Sequence, residues 1–207
     1  YGDTIFDIDL NSLIKYHENK LSIATLLVHP NDHPHDSDLL NINENNLVTH
    51  FYAKPHSPDK YFRNLVNAGL YILSKNIFKY INADIFADLG KSIFPKLVKE
   101  KLNIYGYNTT EYIKDIGTIT RLKKVERDII VGKVRNKNQS IKQKVIYLDR
   151  DGVINKENYP LNRIDKFKLY PNVDKAIRII NQSEYLAVVI TNQPIVAKGM
   201  CDLHTLD

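Results

Sequence analysis

The chain has 207 residues, of which 43% are hydrophobic and 26% charged, and its formal net charge is +5. These proportions are ordinary for a soluble globular chain with one large domain or two small ones. Cys201 is the only cysteine, which excludes an intrachain disulfide and argues against a cysteine-based zinc site. No apolar run approaches the roughly 20 residues that span a bilayer, and no signal peptide is present, so we expect a cytoplasmic protein without a membrane partner.

The two ends of the sequence predict a fragment of a longer protein. The chain begins at Tyr1 rather than Met, and Tyr1-Gly2-Asp3 has the pattern of a strand that runs into a loop. Residues 201–207 stop where a helical pattern begins. We therefore expect the chain to be catalytically inactive on its own.

Apolar patterning predicts alternating helices and strands up to residue 128. Asp9 is placed to cap a helix whose apolar residues recur at helical spacing. The nearly continuous apolar run at 23–28 is typical of a strand that is buried on both faces. Further strands are predicted at 47–52, 68–73, 104–107 and 112–116, and helices at 77–81, 93–102 and 118–128.

Positive charge is concentrated between Arg121 and Lys144, where nine lysines and arginines accompany only two acidic residues. A nucleic-acid-binding surface would carry such a stripe. A solvated helix end followed by a linker would carry it too, and no aromatic residue is interleaved to stack on bases. We expect the second alternative, with a basic linker at 131–143 and no nucleic-acid partner.

The pattern of buried elements restarts after this linker. Residues 145–148 and 186–190 are apolar runs typical of buried strands, and a helical stripe lies between them. A strand, a helix and a parallel strand form a βαβ unit, in which ligands bind at the carboxyl ends of the strands. The sequence therefore predicts a first domain at 1–130 and a second at 144–207.

Two carboxylates follow the first strand of this unit. Asp149 and Asp151 lie two residues apart, at a turn that Gly152 permits. One carboxylate could be a nucleophile and the other a general acid or base, and both offer Mg²⁺ the hard oxygens that it prefers. The second strand ends in Thr191 and Asn192, whose polar groups can bind phosphate oxygens.

The strand-end motifs are Tyr147-Leu148-Asp149-Arg150-Asp151-Gly152-Val153-Ile154-Asn155 and Thr191-Asn192-Gln193. They resemble the haloacid-dehalogenase-like phosphatases, in the branch of the D-glycero-D-manno-heptose 1,7-bisphosphate and histidinol-phosphate phosphatases. The resemblance implies that Asp149 is a nucleophile that forms an aspartyl-phosphate and that Asp151 is the general acid and base. It also implies that Thr191 and Asn192 bind the phosphoryl group. By the same resemblance Mg²⁺ lies on Asp149 and on the backbone carbonyl of Asp151.

Two single aspartates, Asp3 and Asp115, stand at predicted strand ends in the first domain. The residues alone are compatible with a shared metal ion or with two unrelated turn caps. Six short motifs follow one another along the first domain, and the first and last of them contain these two aspartates. In chain order they are Gly2-Asp3, Asp7-Ile8-Asp9-Leu10, Lys54-Pro55, Asn67-Ala68-Gly69-Leu70-Tyr71, Phe94-Pro95 and Asp115-Ile116-Gly117-Thr118.

This series, over about residues 1–125, resembles the later part of the sugar-1-phosphate nucleotidylyltransferases. The resemblance implies that Asp3 and Asp115 bind the Mg²⁺ that orients a nucleoside triphosphate. It also implies that Lys54 pairs with the sugar phosphate and that Asn67 and Gly69 line the sugar site.

Together the resemblances predict an α/β protein, with a partial nucleotidyltransferase Rossmann-like mixed sheet followed by a partial haloacid-dehalogenase-like Rossmann-type parallel sheet. They imply a bifunctional enzyme of nucleotide-activated heptose synthesis for bacterial cell-surface lipopolysaccharide, with sugar phosphates and a nucleoside triphosphate as substrates. Ala53 stands where a Glu commonly precedes the Lys-Pro pair, so a degenerate transferase domain is one alternative. A non-catalytic phospho-acceptor or a nucleic-acid-binding module is the alternative from another class.

A cluster of histidines and aspartates lies between the predicted strands at 23–28 and 47–52. Its side chains could bind a transition metal, but the polar composition and two prolines favour a solvated loop. Its members are His29, Asp32, His33, His35, Asp36 and Asp38.

Overall fold

The computed structural model describes residues 2–31, 33–57 and 62–206. The chain divides into two compact units, Tyr1–Gly117 and Thr118–Asp207.

The first unit begins with a short strand and a helix that Asp9 caps, because its carboxylate accepts a hydrogen bond from the backbone N of Ser12. This confirms the predicted cap. Short 3-10 helices cover Pro34–Asp36 and Lys75–Tyr80, and a π-helical turn covers Leu89–Ile93. The other elements are β1 (Thr4–Asp7), α1 (Leu10–Asn19), β2 (Ala24–His29), β3 (Leu39–Ile42), β4 (Val48–Tyr52), β5 (Val66–Leu73), α2 (Phe94–Lys99), β6 (Ile104–Asn108) and β7 (Tyr112–Asp115).

Five strands form a mixed sheet in the order β4-β3-β5-β2-β6. Strand β2 pairs antiparallel with β5 and parallel with β6, and its residues from Ala24 to Val28 are all buried. Phe94 and Leu97 of α2 belong to the same hydrophobic core. The mixed sheet confirms the predicted α/β class, and the burial of β2 confirms the prediction made from its apolar run.

Strand β5 departs from regular pairing beside β2. Leu26 faces Tyr71 but Val28 faces Asn67, so β5 contains extra residues across this step. Gly69 has φ +78°, which supplies the left-handed backbone that such a bulge needs. The bulge falls within the segment that the sequence predicts as part of a sugar site.

Strands β1 and β7 form a separate antiparallel ribbon in which Thr4 pairs with Asp115. The strand that Gly2-Asp3 is predicted to end would fall on Tyr1, outside the described residues. The loop predicted after Asp3 is wrong, because residues 4–7 form β1 and pair with β7. The start of one antiparallel strand lies beside the end of the other. Asp3 and Asp115 are therefore neighbours at one end of the ribbon.

The second unit contains a parallel strand pair with a helix between the strands, which confirms the predicted βαβ unit. A 3-10 helix covers Ile164–Lys166. The other elements are α3 (Ile119–Ile130), α4 (Lys133–Asn136), β8 (Lys144–Leu148), α5 (Val173–Gln182), β9 (Tyr185–Val189), α6 (Pro194–Ala197) and α7 (Leu203–Leu206).

The division between the units precedes the predicted domain boundary, because α3 groups with the residues that follow it. The predicted linker at 131–143 is partly helical, since it contains α4. Lys133 Nζ lies 4.0 Å from Asp128 Oδ1 and joins α4 to α3. The domain limits 1–130 and 144–207 stay a prediction about family domains, which need not coincide with packing units.

Apolar side chains on the β8–β9 pair, and Ile190 just after β9, remain accessible. Tyr147 is 66% exposed, Val189 50% and Ile190 57%. Parallel strands are ordinarily covered on both faces, so the side chains of this pair are more exposed than is usual for parallel strands.

Candidate functional site

The β1–β7 ribbon brings two predicted metal ligands to one place. Ile116 N donates to the backbone oxygen of Asp3 at 2.8 Å, which fixes Asp3 beside the end of β7. Gly117 N donates to Asp115 Oδ1 at 2.6 Å, which fixes the second carboxylate. The pairing of the strands thus positions the backbone of one aspartate and the carboxylate of the other.

Gly117 marks the point on which the two carboxylates converge. A Cβ atom at this glycine would lie 3.0 Å from Asp115 Oδ1 and 3.6 Å from Asp3 Oδ2. The absence of a side chain leaves room between two hard anionic oxygens, a donor set that suits Mg²⁺. Among the residues that the structure describes, no group of three or more His, Cys, Asp or Glu side chains is arranged to hold a metal ion. An ion here would take its other ligands from substrate oxygens and water.

The predicted sugar-phosphate residues gather around Asp38, just before β3. Lys54 N donates to Asp38 Oδ1 at 3.1 Å, and Asn67 N donates to the backbone oxygen of Asp38 at 2.9 Å. The side chain of Lys54 is 55% exposed, and its Nζ donates to the backbone oxygen of Asp36 at 3.0 Å. Asp38 therefore joins the two predicted substrate-binding segments.

The amide of Asn67 is held across the bulge that contains Gly69. Its Nδ2 donates to the Tyr71 hydroxyl at 2.9 Å, and its Oδ1 accepts from Gly69 N at 3.4 Å. Both predicted sugar-site residues thus belong to one hydrogen-bonded turn on β5.

Glu111 is a buried carboxylate that sequence reasoning missed. It accepts hydrogen bonds from Asp9 N at 2.7 Å and from Thr109 Oγ1 at 2.9 Å, and it is only 3% exposed. These contacts join the start of β7 to the N-terminus of α1. Glu111 directly precedes β7, and no pattern in the neighbouring sequence indicates that its carboxylate is buried.

The second unit places its predicted residues at the ends of two parallel strands. Ile190 N donates to the backbone oxygen of Leu148 at 2.9 Å, so β8 and β9 end side by side. Asp149 follows β8, is exposed, and accepts a hydrogen bond from Arg150 N at 2.6 Å. Its exposed carboxylate and the carbonyl of Asp151 are oxygen donors of the kind that Mg²⁺ takes.

Gln193 joins Asp151 to Thr191. Its Nε2 lies 2.7 Å from Asp151 Oδ2 and 2.7 Å from Thr191 Oγ1. Asn192 is exposed beside Thr191. The structure therefore brings Asp151 and Thr191 together through one amide.

Asp151 is surrounded by hydrogen-bond donors. Burial by itself would raise the pKa of its carboxyl, but hydrogen bonds from Arg150, Asn155 and Gln193 and the charge of Arg150 outweigh it, and the net pKa is lowered. Arg150 Nη2 lies 3.1 Å from Asp151 Oδ2 in an ion pair. The carboxyl is thus ionised near neutral pH, and a role as acid requires that it take up a proton in the substrate complex.

The histidine cluster forms no metal site within the described residues. His33 instead contacts Asn31, whose Nδ2 lies 3.2 Å from its Nδ1. Asp32 lies outside the part of the chain that the structure describes.

No described helix is both long and apolar enough to cross a membrane.

A family model described as nucleotidyl transferase matches residues 1–131. The match covers more than half of the chain, so the chain belongs to the nucleotidyl transferase family.

The curated proteins to which the chain is similar include an adenylyltransferase and a uridylyltransferase. The chain is 33% identical over 138 residues to the glucose-1-phosphate adenylyltransferase of Clostridioides difficile (strain 630), covering 62% of this chain and 35% of that protein. It is 28% identical over 137 residues to the UTP–glucose-1-phosphate uridylyltransferase of Synechocystis sp. (strain ATCC 27184 / PCC 6803 / Kazusa), covering 65% and 35%. The chain spans about a third of the length of these curated relatives.

Two solved structures are similar to parts of the chain. HddC from Yersinia pseudotuberculosis, complexed with GMP-PN, has TM-score 0.47 and 24% identity, covering 59% of this chain and 50% of that chain. The D,D-heptose 1,7-bisphosphate phosphatase from B. bronchiseptica, complexed with magnesium and phosphate, has TM-score 0.30 and 35% identity, covering 31% and 36%. Because both TM-scores are under 0.5, the family assignment rests on the sequence match.

Proposed function

We propose that this chain carries part of an enzyme that transfers a nucleotidyl group to a sugar 1-phosphate. The observation that carries the proposal is the convergence of Asp3 and Asp115 beside Gly117 in a member of this family. An oxygen of the sugar phosphate bonds to the α-phosphorus of a nucleoside triphosphate, the bond to the bridging oxygen breaks, and pyrophosphate leaves. Bound Mg²⁺ would supply positive charge at the phosphate oxygens, with Asp3 and Asp115 as its protein ligands.

Lys54, Asn67 and Gly69 are the residues we propose for the sugar phosphate. Lys54 offers an exposed ammonium to the phosphate, and its backbone is tied to Asn67 through Asp38. The amide of Asn67 and the bulge at Gly69 present polar groups to sugar hydroxyls.

Lys54→Ala, made in the protein at its natural length, tests the transferase proposal. Pyrophosphate release is measured with glucose 1-phosphate and heptose 1-phosphate against each nucleoside triphosphate. Loss of a charge-assisted contact should raise the KM for the sugar phosphate about tenfold or more. Lys79→Ala, at an exposed lysine, is the matched control. A wild-type protein that releases no pyrophosphate would instead support the degenerate domain that Ala53 suggests.

We further propose that the second unit belongs to a phosphatase that removes one phosphate from D-glycero-D-manno-heptose 1,7-bisphosphate. The adjacent strand ends, with Asp149 exposed and Asp151 joined to Thr191 through Gln193, support this proposal. Thr191 and Asn192 would bind the phosphoryl group, and Asp149 would attack its phosphorus. The product would be the sugar 1-phosphate that the transferase consumes, and we place both reactions in the cytoplasm.

Phosphate release from the bisphosphate tests this second activity in the protein at its natural length. Asp149→Asn should abolish release, because the nucleophile is lost, and should leave pyrophosphate release unchanged. Asp174→Asn, at an exposed aspartate of α5, is the control. Covalent phosphorylation of Asp149 without turnover would favour the phospho-acceptor alternative, and no phosphorylation at all would contradict both.

A further inference from the structure

Asn155 is a fully buried amide beside Asp151, and the proposed function gives it no role. Its Nδ2 donates to Asp151 Oδ1 at 2.8 Å and to the backbone oxygen of Lys156 at 3.0 Å. Its own Oδ1 has no hydrogen-bond partner in the described part of the chain. Burying an unpaired acceptor reduces stability, so the structure does not explain an amide here by stability alone.

The backbone around Asn155 holds this amide in one position. Asn155 N donates to the backbone oxygen of Arg150 at 3.0 Å, and Gly152 N donates to the backbone oxygen of Asn155 at 2.8 Å. The turn that carries Asp151 is therefore closed by the same residue that contacts its side chain.

The two carboxylate oxygens of Asp151 have different surroundings. Oδ1 accepts from the buried Asn155 amide, whereas Oδ2 accepts from Gln193, whose Nε2 also contacts Thr191. Arg150 contacts both oxygens and does not distinguish them. Only Oδ2 is linked to the residue proposed to bind the phosphoryl group.

We propose that Asn155 is a positioning residue, which holds Oδ1 of Asp151 on the buried side of the turn and leaves Oδ2 as the oxygen that transfers the proton. This inference rests on the proposed phosphatase function. In the first step an Asp149 oxygen bonds to phosphorus, the bond from phosphorus to the alkoxide breaks, and the alkoxide takes the proton from Oδ2. In the second step a water oxygen bonds to phosphorus, its proton passes to Oδ2, and Asp149 leaves as a carboxylate.

Asn155→Asp tests the inference, because it preserves volume and replaces the donor with an oxygen. Single-turnover release of the leaving group reports the first step alone, and two leaving groups are compared in the protein at its natural length. A sugar alkoxide needs the proton, whereas the phenolate of p-nitrophenyl phosphate is stable without it. We expect at least about a tenfold loss with the sugar bisphosphate, part of the 10²–10⁴ that general acid catalysis contributes, and a much smaller loss with the aryl phosphate.

Asn181→Ala, at an exposed asparagine of α5, is the matched control and should change neither rate. Asn155→Ser removes the amide without adding charge, and it carries the test if Asn155→Asp does not fold. Equal losses with both substrates, no loss, or failure of both variants to fold would show a structural role and overturn the inference. A wild-type protein that releases neither leaving group would overturn the phosphatase proposal itself.

Discussion

Gly117 shows how a single residue without a side chain can shape a candidate ion site. Its backbone N–H orients Asp115, and its missing Cβ leaves the space that both carboxylates face. Two carboxylates that share one ion act as a unit, so removing either one removes most of the binding.

Asp3→Asn and Asp115→Asn should each weaken Mn²⁺ binding, used as a probe for Mg²⁺, by about tenfold or more, because each removes a charged ligand. The double variant should lose less than the sum of the two free-energy changes, since the ligands share one ion. Calorimetric titration measures these affinities, with the exposed Asp84→Asn as control. Additive losses would indicate two independent sites.

Motif residues were predictable at this scale, whereas the residues that support them were not. Asp115 and Asp151 were predicted because strand ends and turn residues carry local signals. Asp38 and Asn155 were named only as members of a loop cluster and a motif, and Glu111 was not named, because their roles come from burial and from hydrogen-bond partners in the folded chain. No spacing pattern reports such contacts.

Helix α1 depends on Asp9 for its N-terminal cap. Hydrogen bonds from the side chain and backbone of Ser12 lower the pKa of the Asp9 carboxyl below its ordinary 3.8. A lowered folded-state pKa means that the ionised carboxylate stabilises the fold above pH 3.8 and that this contribution disappears as the pH falls through the folded-state value.

Asp9→Ala should therefore lower the free energy of unfolding at neutral pH, and its difference from wild type should shrink below pH 3.8. Denaturant unfolding over a pH series measures both effects. Glu18→Gln, at an exposed position on the same helix, should show no comparable difference. A difference that grows on acidification would contradict the cap.

The hydrogen bonds of Glu111 that join α1 to β7 lead to a prediction about the stability of the fold. Glu111→Ala leaves Asp9 N and Thr109 Oγ1 without this acceptor, which should cost about 1–3 kcal/mol in the free energy of unfolding. Glu111→Gln keeps one acceptor oxygen and should cost less. Urea unfolding is the measurement, and Glu100→Ala is an exposed control. Equal stability of all three variants would show that the link contributes nothing.

Elements differed in how far the sequence predicted them. Strand β2 was clear, because burial on both faces produces a continuous apolar run. The bulge at Gly69 was invisible, because glycine alone does not report which strand it faces. Strand β1 was missed, because a loop was predicted after Asp3 and its partner β7 lies more than 100 residues away.

The whole chain contains two units of unequal core size. Buried apolar residues are numerous in the first unit, whereas the described part of the second has only Val125 and Ile195 in that class. The second unit should therefore unfold at a lower temperature, because less apolar surface is removed from water.

Calorimetry should show two transitions that respond to different ligands. A non-hydrolysable nucleoside triphosphate with Mg²⁺ should raise the upper transition, and phosphate with Mg²⁺ should raise the lower one. A ligand at 100 times its Kd adds about 2.7 kcal/mol to the state that binds it. Asp115→Asn should abolish only the first response. One transition that both ligands raise equally would contradict separate sites.

The bare β8–β9 pair has a practical consequence for handling the protein. Tyr147 and Val189 are exposed on strands whose outer edges pair with no other strand in the described part of the chain, so strands of neighbouring molecules can add there. The net charge of +5 keeps molecules apart in dilute buffer, and added salt screens that repulsion. Turbidity should therefore rise with protein concentration and ionic strength, and dilute, low-salt samples should keep longest.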